Sequence, residues 1–284
     1  MLNLTKISII MLAICSMAHA SNLNASESAT STSTDDTSNQ AVAKKLNNAL
    51  APIIFVPIST RYMQCTSPDC SGQNAVEVST RPTIPISIND KLTTINHIVI
   101  PYFNAPEGAK NDHGQLAFIG KRSNFVNPVQ VMSIVTFKKA SGWNTGIGPY
   151  VNIPVMKGYE GTKEYTGIGV AGIISYTQGG FVGYGTFQNA WNIGNKNQFF
   201  LFTPAMSYNF PSGWFINTAP YITANFSEPI KNNLTLPLGG GGGKVVKFGD
   251  LPVMFAIGLY GNVVRPELSP NWTARFTATF AFPE

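Results

Sequence analysis

Apolar and polar residues alternate with a period of two along the C-terminal part of the chain. In the last such segment the alternation separates Trp272, Ala274, Phe276, Ala278, Phe280 and Phe282 from Thr273, Arg275, Thr277 and Thr279. A period of two places successive side chains on opposite faces of a β-strand. The pattern therefore predicts strands with one apolar face, covered by lipid or by a protein core, and one polar face.

Turn signals divide the chain from residue 53 onward into long strands. Short turns are predicted at Asn89-Asp90, Ser141-Gly142, Gly179-Gly180, Ser212-Gly213 and Gly249-Asp250. Longer connections alternate with them, at about 64–73, 105–124, 156–162, 193–197, 227–232 and 266–270. The segmentation predicts about 12 strands, and bacterial outer-membrane barrels have an even number and the same alternation of connections. A soluble β-sandwich would also alternate, but strands of roughly 12–15 residues are longer than the usual 5–6.

Composition favours a membrane barrel over a soluble domain. Of the 284 residues, 44% are hydrophobic and only 12% are charged, against about 25% charged in an average soluble domain. Residues 1–20 combine Lys6, an apolar run and Ala18-His19-Ala20, which predicts a signal peptide cleaved after Ala20. No later segment has 18 consecutive apolar residues, so no spanning helix is expected. We therefore predict an all-β fold, a transmembrane antiparallel barrel in the bacterial outer membrane.

The segment before the barrel has two parts. Residues 21–40 are rich in Ser and Thr and nearly free of apolar residues, which predicts a disordered leader. Residues 41–51 carry Val42, Leu46 and Leu50 at helical spacing before Pro52. We predict a short N-terminal helix there, at or inside the barrel mouth, and assign residues 52–284 to the barrel.

Five consecutive glycines, at 239–243, interrupt the apolar pattern of segment 232–248. A phosphate-binding P-loop is excluded because Leu238 replaces its first glycine and Val245 follows Lys244 where Ser or Thr is required. Leucines at alternate positions before the run keep the membrane register. We interpret the segment as a bent strand pressed by the predicted helix or by an inward loop, with a loose glycine loop as the alternative.

Charged residues on the polar faces indicate a lumen. An Arg that faces lipid at the midplane costs about 2–4 kcal/mol, so such side chains are expected to point inward. The candidate pore-lining residues are Arg61, Glu77, Arg81, Tyr150, Asn152, Asn217, Tyr221, Asn225 and Arg275. They form either a polar constriction that contacts a solute or an Arg–Glu network that only braces the wall.

The sequence carries little sign of catalysis, cofactors or nucleic-acid binding. An outer-membrane hydrolase would need a serine activated by a histidine, and neither His97 nor His113 belongs to a nucleophile motif. These histidines are not spaced with the cysteines as metal ligands. Lysines and arginines are scattered rather than clustered. We therefore expect a protein that is not an enzyme, with no cofactor, no metal and no nucleic-acid partner.

Several motifs follow one another in an order that resembles a known family. They include "GIGPYVNIP", "PAMSYNFPSGWFINTAPYITANF" and "LTLPLGGGGGKVVKFGDLPVMFAIGLYGNVVRP". Over about residues 50–283 the chain resembles the outer-membrane proteins of the meta-pathway phenol-degradation type. It departs from them in a longer, more polar segment at 104–127 and in its last residues, Pro283-Glu284.

The resemblance implies a channel for passive passage of small compounds, with aromatic or hydrophobic ones as candidates. Its partners would be membrane lipid, a small-molecule solute and the barrel-assembly machinery. The alternative from another functional class is a structural or surface-interaction barrel with a plugged lumen. A continuous polar path through the barrel would distinguish the first from the second.

Cys65 and Cys70 lie in one predicted loop of an exported chain, which favours a disulfide. We predict that neither cysteine reacts with a thiol reagent in unreduced, denatured protein, whereas both react after reduction. The barrel should assemble without them, because a loop this short contributes less than the ~3 kcal/mol expected for about 15 residues. Stoichiometric labelling of both cysteines before reduction would disprove the bridge.

Overall fold

A computed structural model describes residues 38–67, 70, 72–89, 92–110, 116–126, 128–138, 142–155, 166–194, 198–228 and 232–282. The predicted signal peptide, the predicted leader up to residue 37 and His113 lie outside these ranges. Within the described ranges, no helix has the length and apolar character needed to cross a membrane.

The described residues form one helix followed by fifteen strands. The helix is α1 (Asn39–Leu46). The strands are β1 (Ile54–Gln64), β2 (Asn74–Thr80), β3 (Thr83–Ser87), β4 (Leu92–Lys110), β5 (Leu116–Val126), β6 (Val129–Lys138), β7 (Trp143–Ile153), β8 (Gly167–Gln178), β9 (Phe181–Asn192), β10 (Gln198–Asn209), β11 (Trp214–Thr218), β12 (Ile222–Asn225), β13 (Leu234–Phe248), β14 (Leu251–Val264) and β15 (Trp272–Phe282).

The strands close into an antiparallel barrel. Three pairs of segments are consecutive halves of single spanning strands. β2 and β3 both pair with β1 and β4, β11 and β12 both pair with β10 and β13, and β5 and β6 both pair with β4. The fifteen segments therefore make a barrel of 12 strands. Pairing of β1 with β15, from Ile54–Phe282 to Gln64–Trp272, completes the circle. The predicted fold class and strand number are confirmed.

An apolar belt surrounds the barrel. Its exposed members include Ile58, Ile147, Ile168, Ile257, Leu259 and Phe276. A continuous apolar surface of this kind is unfavourable in water and is what a barrel presents to lipid. Aromatic pairs lie at both rims, with Trp143 and Tyr176 4.7 Å apart at the short-turn end and Tyr62 and Trp272 5.7 Å apart at the other. The chain is an outer-membrane barrel of the bacterial type.

Helix α1 lies inside the mouth at the short-turn end. It begins two residues before the predicted segment 41–51, because Ser38 caps it by accepting a hydrogen bond from the Ala41 backbone N–H. It ends well before Pro52, at the C-cap Asn47. Its buried face packs on side chains from the ends of five strands: Phe55, Phe215, Val245, Met254 and Ala281.

Strand β13 continues without interruption through the five glycines. The loose-loop alternative is therefore wrong. A Cβ on Gly241 would overlap the Ile257 carbonyl oxygen of β14, and one on Gly242 would lie 2.7 Å from the Phe215 carbonyl oxygen of β11. The backbones that press on the glycines belong to the two flanking strands, rather than to the helix or an inward loop as the sequence suggested.

The predicted loop at 105–124 is largely a β-hairpin. β4 runs on to Lys110 and pairs with β5, so the two strands extend beyond the wall. Cross-strand contacts hold this extension: the rings of Phe103 and Phe125 stack at 5.2 Å, and Arg122 donates to Asn104 Oδ1 at 2.6 Å. Polar composition suggested a loop, but cross-strand pairs of this kind stabilise a hairpin.

Loop lengths and the position of α1 predict the orientation of the barrel. The short turns and α1 share one end, which we assign to the periplasm. A peptide tag inserted between Gly194 and Asn195 should be labelled by antibody on intact cells, and a tag between Gly249 and Asp250 only after the outer membrane is permeabilised. The opposite labelling pattern would reverse the orientation.

The close approach at the glycines predicts a position-dependent cost. Gly241→Val should lower the free energy of unfolding by about 3 kcal/mol or more, because the new side chain meets backbone rather than a movable side chain. Gly261→Val is the control, since open space surrounds a Cβ at that position of the neighbouring strand. The folded fraction in unheated gels and the urea midpoint measure both. Equal stability of the two variants would contradict the close-packing argument.

Candidate functional site

Two spanning strands are interrupted next to prolines, and each interruption contributes a residue to the lumen. Arg81 and Pro82 separate β2 from β3, and Ala219-Pro220-Tyr221 separate β11 from β12. Proline has no N–H to donate to a neighbouring strand. The pairing register is the same on both sides of each interruption. The wall therefore stays in register at both places. Arg81 keeps a backbone hydrogen bond from its N–H to the Pro57 carbonyl oxygen at 3.3 Å, whereas Tyr221 belongs to neither β11 nor β12.

Tyr221 lies at the centre of a group of cations. The guanidinium carbons of Arg275, Arg61 and Arg81 lie 5.0, 5.2 and 5.8 Å from the centre of its ring. Arg61 and Arg275 come from the adjacent strands β1 and β15, where they are register partners. These distances are within the ~6 Å range of cation–π attraction. We call Arg61, Arg81, Arg275, Tyr221 and Tyr260 the Arg–Tyr cluster.

Hydrogen bonds fix part of this cluster. Arg275 Nη2 donates to Tyr260 Oη at 2.6 Å and to the Ala219 carbonyl oxygen at 3.1 Å. The Tyr260 hydroxyl also accepts from the Ala219 backbone N–H at 3.2 Å. Arg275 and Tyr260 thus hold the interrupted strand in its inward position. On the other side, Arg61 forms an ion pair with its cross-strand neighbour Glu77.

The cluster has more positive than negative charge. Three guanidinium groups meet one carboxylate, Glu77, which is buried and already paired with Arg61. Within the described ranges, the Arg81 guanidinium makes no hydrogen bond or ion pair, and Arg61 Nε is buried without a hydrogen-bond partner. Uncompensated charge in a narrow, low-dielectric space focuses the potential. The middle of the lumen is therefore electropositive and contains guanidinium N–H donors without hydrogen-bond partners among the described residues.

Two cavities meet at the cluster. The lower cavity, of about 190 Å³, lies next to α1, and the upper cavity, of about 380 Å³, lies toward the long loops. The residues that line both are Ser59, Ser79, Arg81, Ala219, Tyr221, Tyr260 and Arg275. The cluster is thus the constriction between two chambers of one lumen.

Both chambers combine polar and apolar side chains. The lower cavity is lined by apolar residues such as Phe55, Met132 and Met254 and by polar ones such as Thr83, His97 and Gln188. The upper cavity combines apolar residues such as Val99, Phe103 and Leu201 with Arg61 and Glu77. Each chamber could therefore contact both an apolar group and a polar group of one small molecule.

Five of the nine predicted pore-lining residues come together: Arg61, Glu77, Arg81, Tyr221 and Arg275 all line the upper cavity. Asn217 lines the lower one. Tyr150 is fully buried among Met132, Ile134 and other apolar residues of the inner wall, and Asn152 is buried on the same strand. Asn225 accepts a hydrogen bond from the Ser227 backbone N–H and lines neither cavity. Contact of these nine residues with a solute stays a prediction.

Sequence reasoning missed Tyr260 and Tyr184, which also line the lumen. The register could have found Tyr260, because it shares the inward face of β14 with Met254, Ala256 and Gly258. His97 lines the lower cavity as well, and its Nδ1 lies 2.9 Å from Thr83 Oγ1, with both side chains buried. In the part of the chain that the structure describes, no three His, Cys, Asp or Glu residues form a group that could hold a metal.

Cys65 and Cys70 form a disulfide, with Cα atoms 5.9 Å apart. The loop that it closes contacts the loop before β15. Asn271 Oδ1 accepts from the Thr66 backbone N–H at 2.7 Å, and Arg265 donates to Ser67 Oγ at 2.7 Å. These contacts tie the connection after the first strand to the connection before the last, next to the closing seam.

No protein-family model matches this sequence, and no curated protein matches it. Among solved structures, the chain is similar to the COG4313 outer membrane channel from Pseudomonas putida F1, with a TM-score of 0.58 and 9% identity over 83% of this chain and 98% of that one. It is more distantly similar to the CymD monoaromatic hydrocarbon channel (0.42, 8%, 80% and 86%). Outer membrane phospholipase A from Escherichia coli is a third (0.37, 7%, 82% and 97%). The first likeness supports the fold.

Proposed function

We propose that this barrel is a passive outer-membrane channel for small compounds that carry an aromatic or other apolar group. One observation supports it above the others: two cavities lie in the same lumen and meet at a constriction of polar side chains. A barrel that only anchors a surface has no need for such chambers. The fold that the chain shares with the Pseudomonas putida channel is consistent with this role.

The Arg–Tyr cluster would act as the selectivity element of this channel. Rings of charged side chains at a constriction select permeant ions and polar groups by electrostatics. The sequence resemblance to phenol-degradation-type barrels supports the aromatic part of the proposal, as do the apolar side chains that line part of both cavities. We propose no catalytic role. Thr83 Oγ1 and His97 Nδ1 lie 2.9 Å apart beside the lower cavity, but a hydroxyl–imidazole contact alone is not an activated nucleophile, which also needs a third group that orients the base.

The alternative is a structural barrel with a plugged lumen. Its support is α1, whose buried Val42, Ala43 and Leu46 pack against the inner wall at the periplasmic mouth. Asn47 adds a hydrogen bond to Asn209 Oδ1 at 2.8 Å. A helix seated in this way narrows the exit, so removal of the N-terminal segment distinguishes a restricted channel from a permanent plug.

Charge in the constriction predicts the ion selectivity of the channel. Purified protein in a planar bilayer should conduct with a mild preference for anions. The preference should weaken as salt rises, because the screening length falls from about 10 Å at 0.1 M to about 3 Å at 1 M. Arg275→Glu should shift selectivity toward cations. Arg122→Glu is the matched control, because Arg122 is exposed on the extension of β5.

Three other outcomes would change the proposal. Selectivity that responds to Arg122 but not to Arg275 would mean that the cluster does not line the conducting path. Conductance that rises only after deletion of residues 21–51 would identify α1 as a restriction. Absence of conductance from folded protein, before and after that deletion, would contradict the channel and favour the structural barrel. Migration in unheated gels establishes that each variant is folded.

A further inference from the structure

The Arg–Tyr cluster has the donors of an anion site. Arg81 contacts the lumen from both chambers, and within the described ranges its guanidinium has no hydrogen-bond or ion-pair partner. Arg61 Nε is likewise buried and unpaired there. Like charges held this close repel one another, and the single carboxylate of Glu77 is committed to Arg61.

Guanidinium groups select the shape of their anion as well as its charge. The planar fork of Arg matches the two oxygens of a carboxylate, and such paired hydrogen bonds are among the strongest in proteins. Arg81 is the group best placed to offer this fork, because Arg275 is already bonded to Tyr260 and to the Ala219 carbonyl. The Tyr221 ring, with its face toward the three cations, closes one side of the space.

The lower cavity indicates what the carboxylate is attached to. It begins at the cluster and continues between Met132, Ile134, Ile173 and Met254 to α1. Its volume of about 190 Å³ exceeds the about 150 Å³ of an engineered apolar cavity that binds benzene. A space of this volume can hold a single aromatic ring.

We propose that the Arg–Tyr cluster is a binding site for single-ring aromatic carboxylates, with the carboxylate on Arg81 and the ring in the lower cavity. This inference rests on the proposed channel function and names its substrate class. The carboxylate would offset the excess positive charge of the cluster, and the aromatic ring would cover apolar side chains of the lower cavity that are otherwise in contact with water. A solute that lacks either part loses one of the two contributions.

Three small probes test the proposal on the full-length protein in detergent at pH 7. Benzoate has both parts, benzyl alcohol has the ring without the charge, and acetate has the charge without the ring. Titration calorimetry, corrected with empty micelles, should show benzoate binding at least about tenfold more tightly than either of the others, since each tenfold step is about 1.4 kcal/mol. Benzoate affinity should fall as sodium chloride rises from 0.05 to 0.5 M, by screening and competition.

Variants then assign the binding to the cluster. Arg81→Gln should weaken benzoate at least about tenfold and leave benzyl alcohol unchanged, since removal of one charged hydrogen-bonding partner costs 1.4 kcal/mol or more. Arg122→Gln, the same substitution on the exposed hairpin, should change neither. Equal loss in both variants, or equal affinity of the unmodified protein for benzoate and benzyl alcohol, would overturn the anion site. Equal affinity for benzoate and acetate would overturn the ring site.

The probe series on the unmodified protein decides the question even if Arg81→Gln fails to assemble. Conductance measured on the same preparations separates this inference from the proposed function. Conductance without selective benzoate binding refutes the aromatic-acid site and leaves the channel intact. Selective benzoate binding without conductance supports the site and refutes the channel.

Discussion

Hydrogen bonding of the backbone in a solvent that offers no partners is the constraint on which this structure depends. Within a bilayer an unpaired N–H or C=O costs several kcal/mol, so a sheet that crosses it must close. Here closure rests on the continuous pairing of β1 with β15. Alternation of side chains follows from the same pairing: the outward set becomes the apolar belt and the inward set becomes the lumen.

The same constraint explains where the wall can be broken. Both interruptions occur beside prolines, at Pro82 and Pro220, and both keep the register of the neighbouring strands. Backbone groups outside the strand pairing need other hydrogen-bond partners. The Ala219 carbonyl oxygen accepts a hydrogen bond from Arg275, and the Ala219 N–H donates one to the Tyr260 hydroxyl. The polar cluster therefore has two roles, since it satisfies the broken strand and forms the constriction.

Helix α1 and the glycine run belong to one packing arrangement. A Cβ on Gly243 would lie 2.6 Å from the ring of Phe215, and Phe215 is part of the apolar surface on which α1 rests. The bare strand leaves room for that ring beside the wall. A side chain at Gly243 would meet the Phe255 carbonyl oxygen of β14 as well as that ring. The helix contacts Phe215, whereas the glycines themselves are approached by the flanking strands.

Much of the fold was predictable because it depends on local pattern. Alternation, turn residues and low charge indicated an outer-membrane barrel and its strand number, since lipid on one face of every strand imposes a period of two on the sequence. The same period identified Arg61, Glu77, Arg81, Tyr221 and Arg275 as inward residues. The same period also placed Tyr150 and Asn225 among the pore-lining candidates. Alternation distinguishes the two faces of a strand, but it does not show how far along the barrel axis a residue lies or which side chains surround it.

Only the tertiary structure decided which inward residues meet. Arg81 and Tyr221 lie 140 positions apart in the chain, and their side chains meet because the two strand interruptions face the same part of the lumen. The division of the lumen into two chambers, the docking of α1 and the hairpin extension of β4 and β5 likewise depend on contacts between distant segments. The sequence by itself determined the kind of wall, since each strand responds separately to lipid. The arrangement of the lumen depends on contacts between side chains that are distant in sequence, and a local pattern of residues carries no information about those contacts.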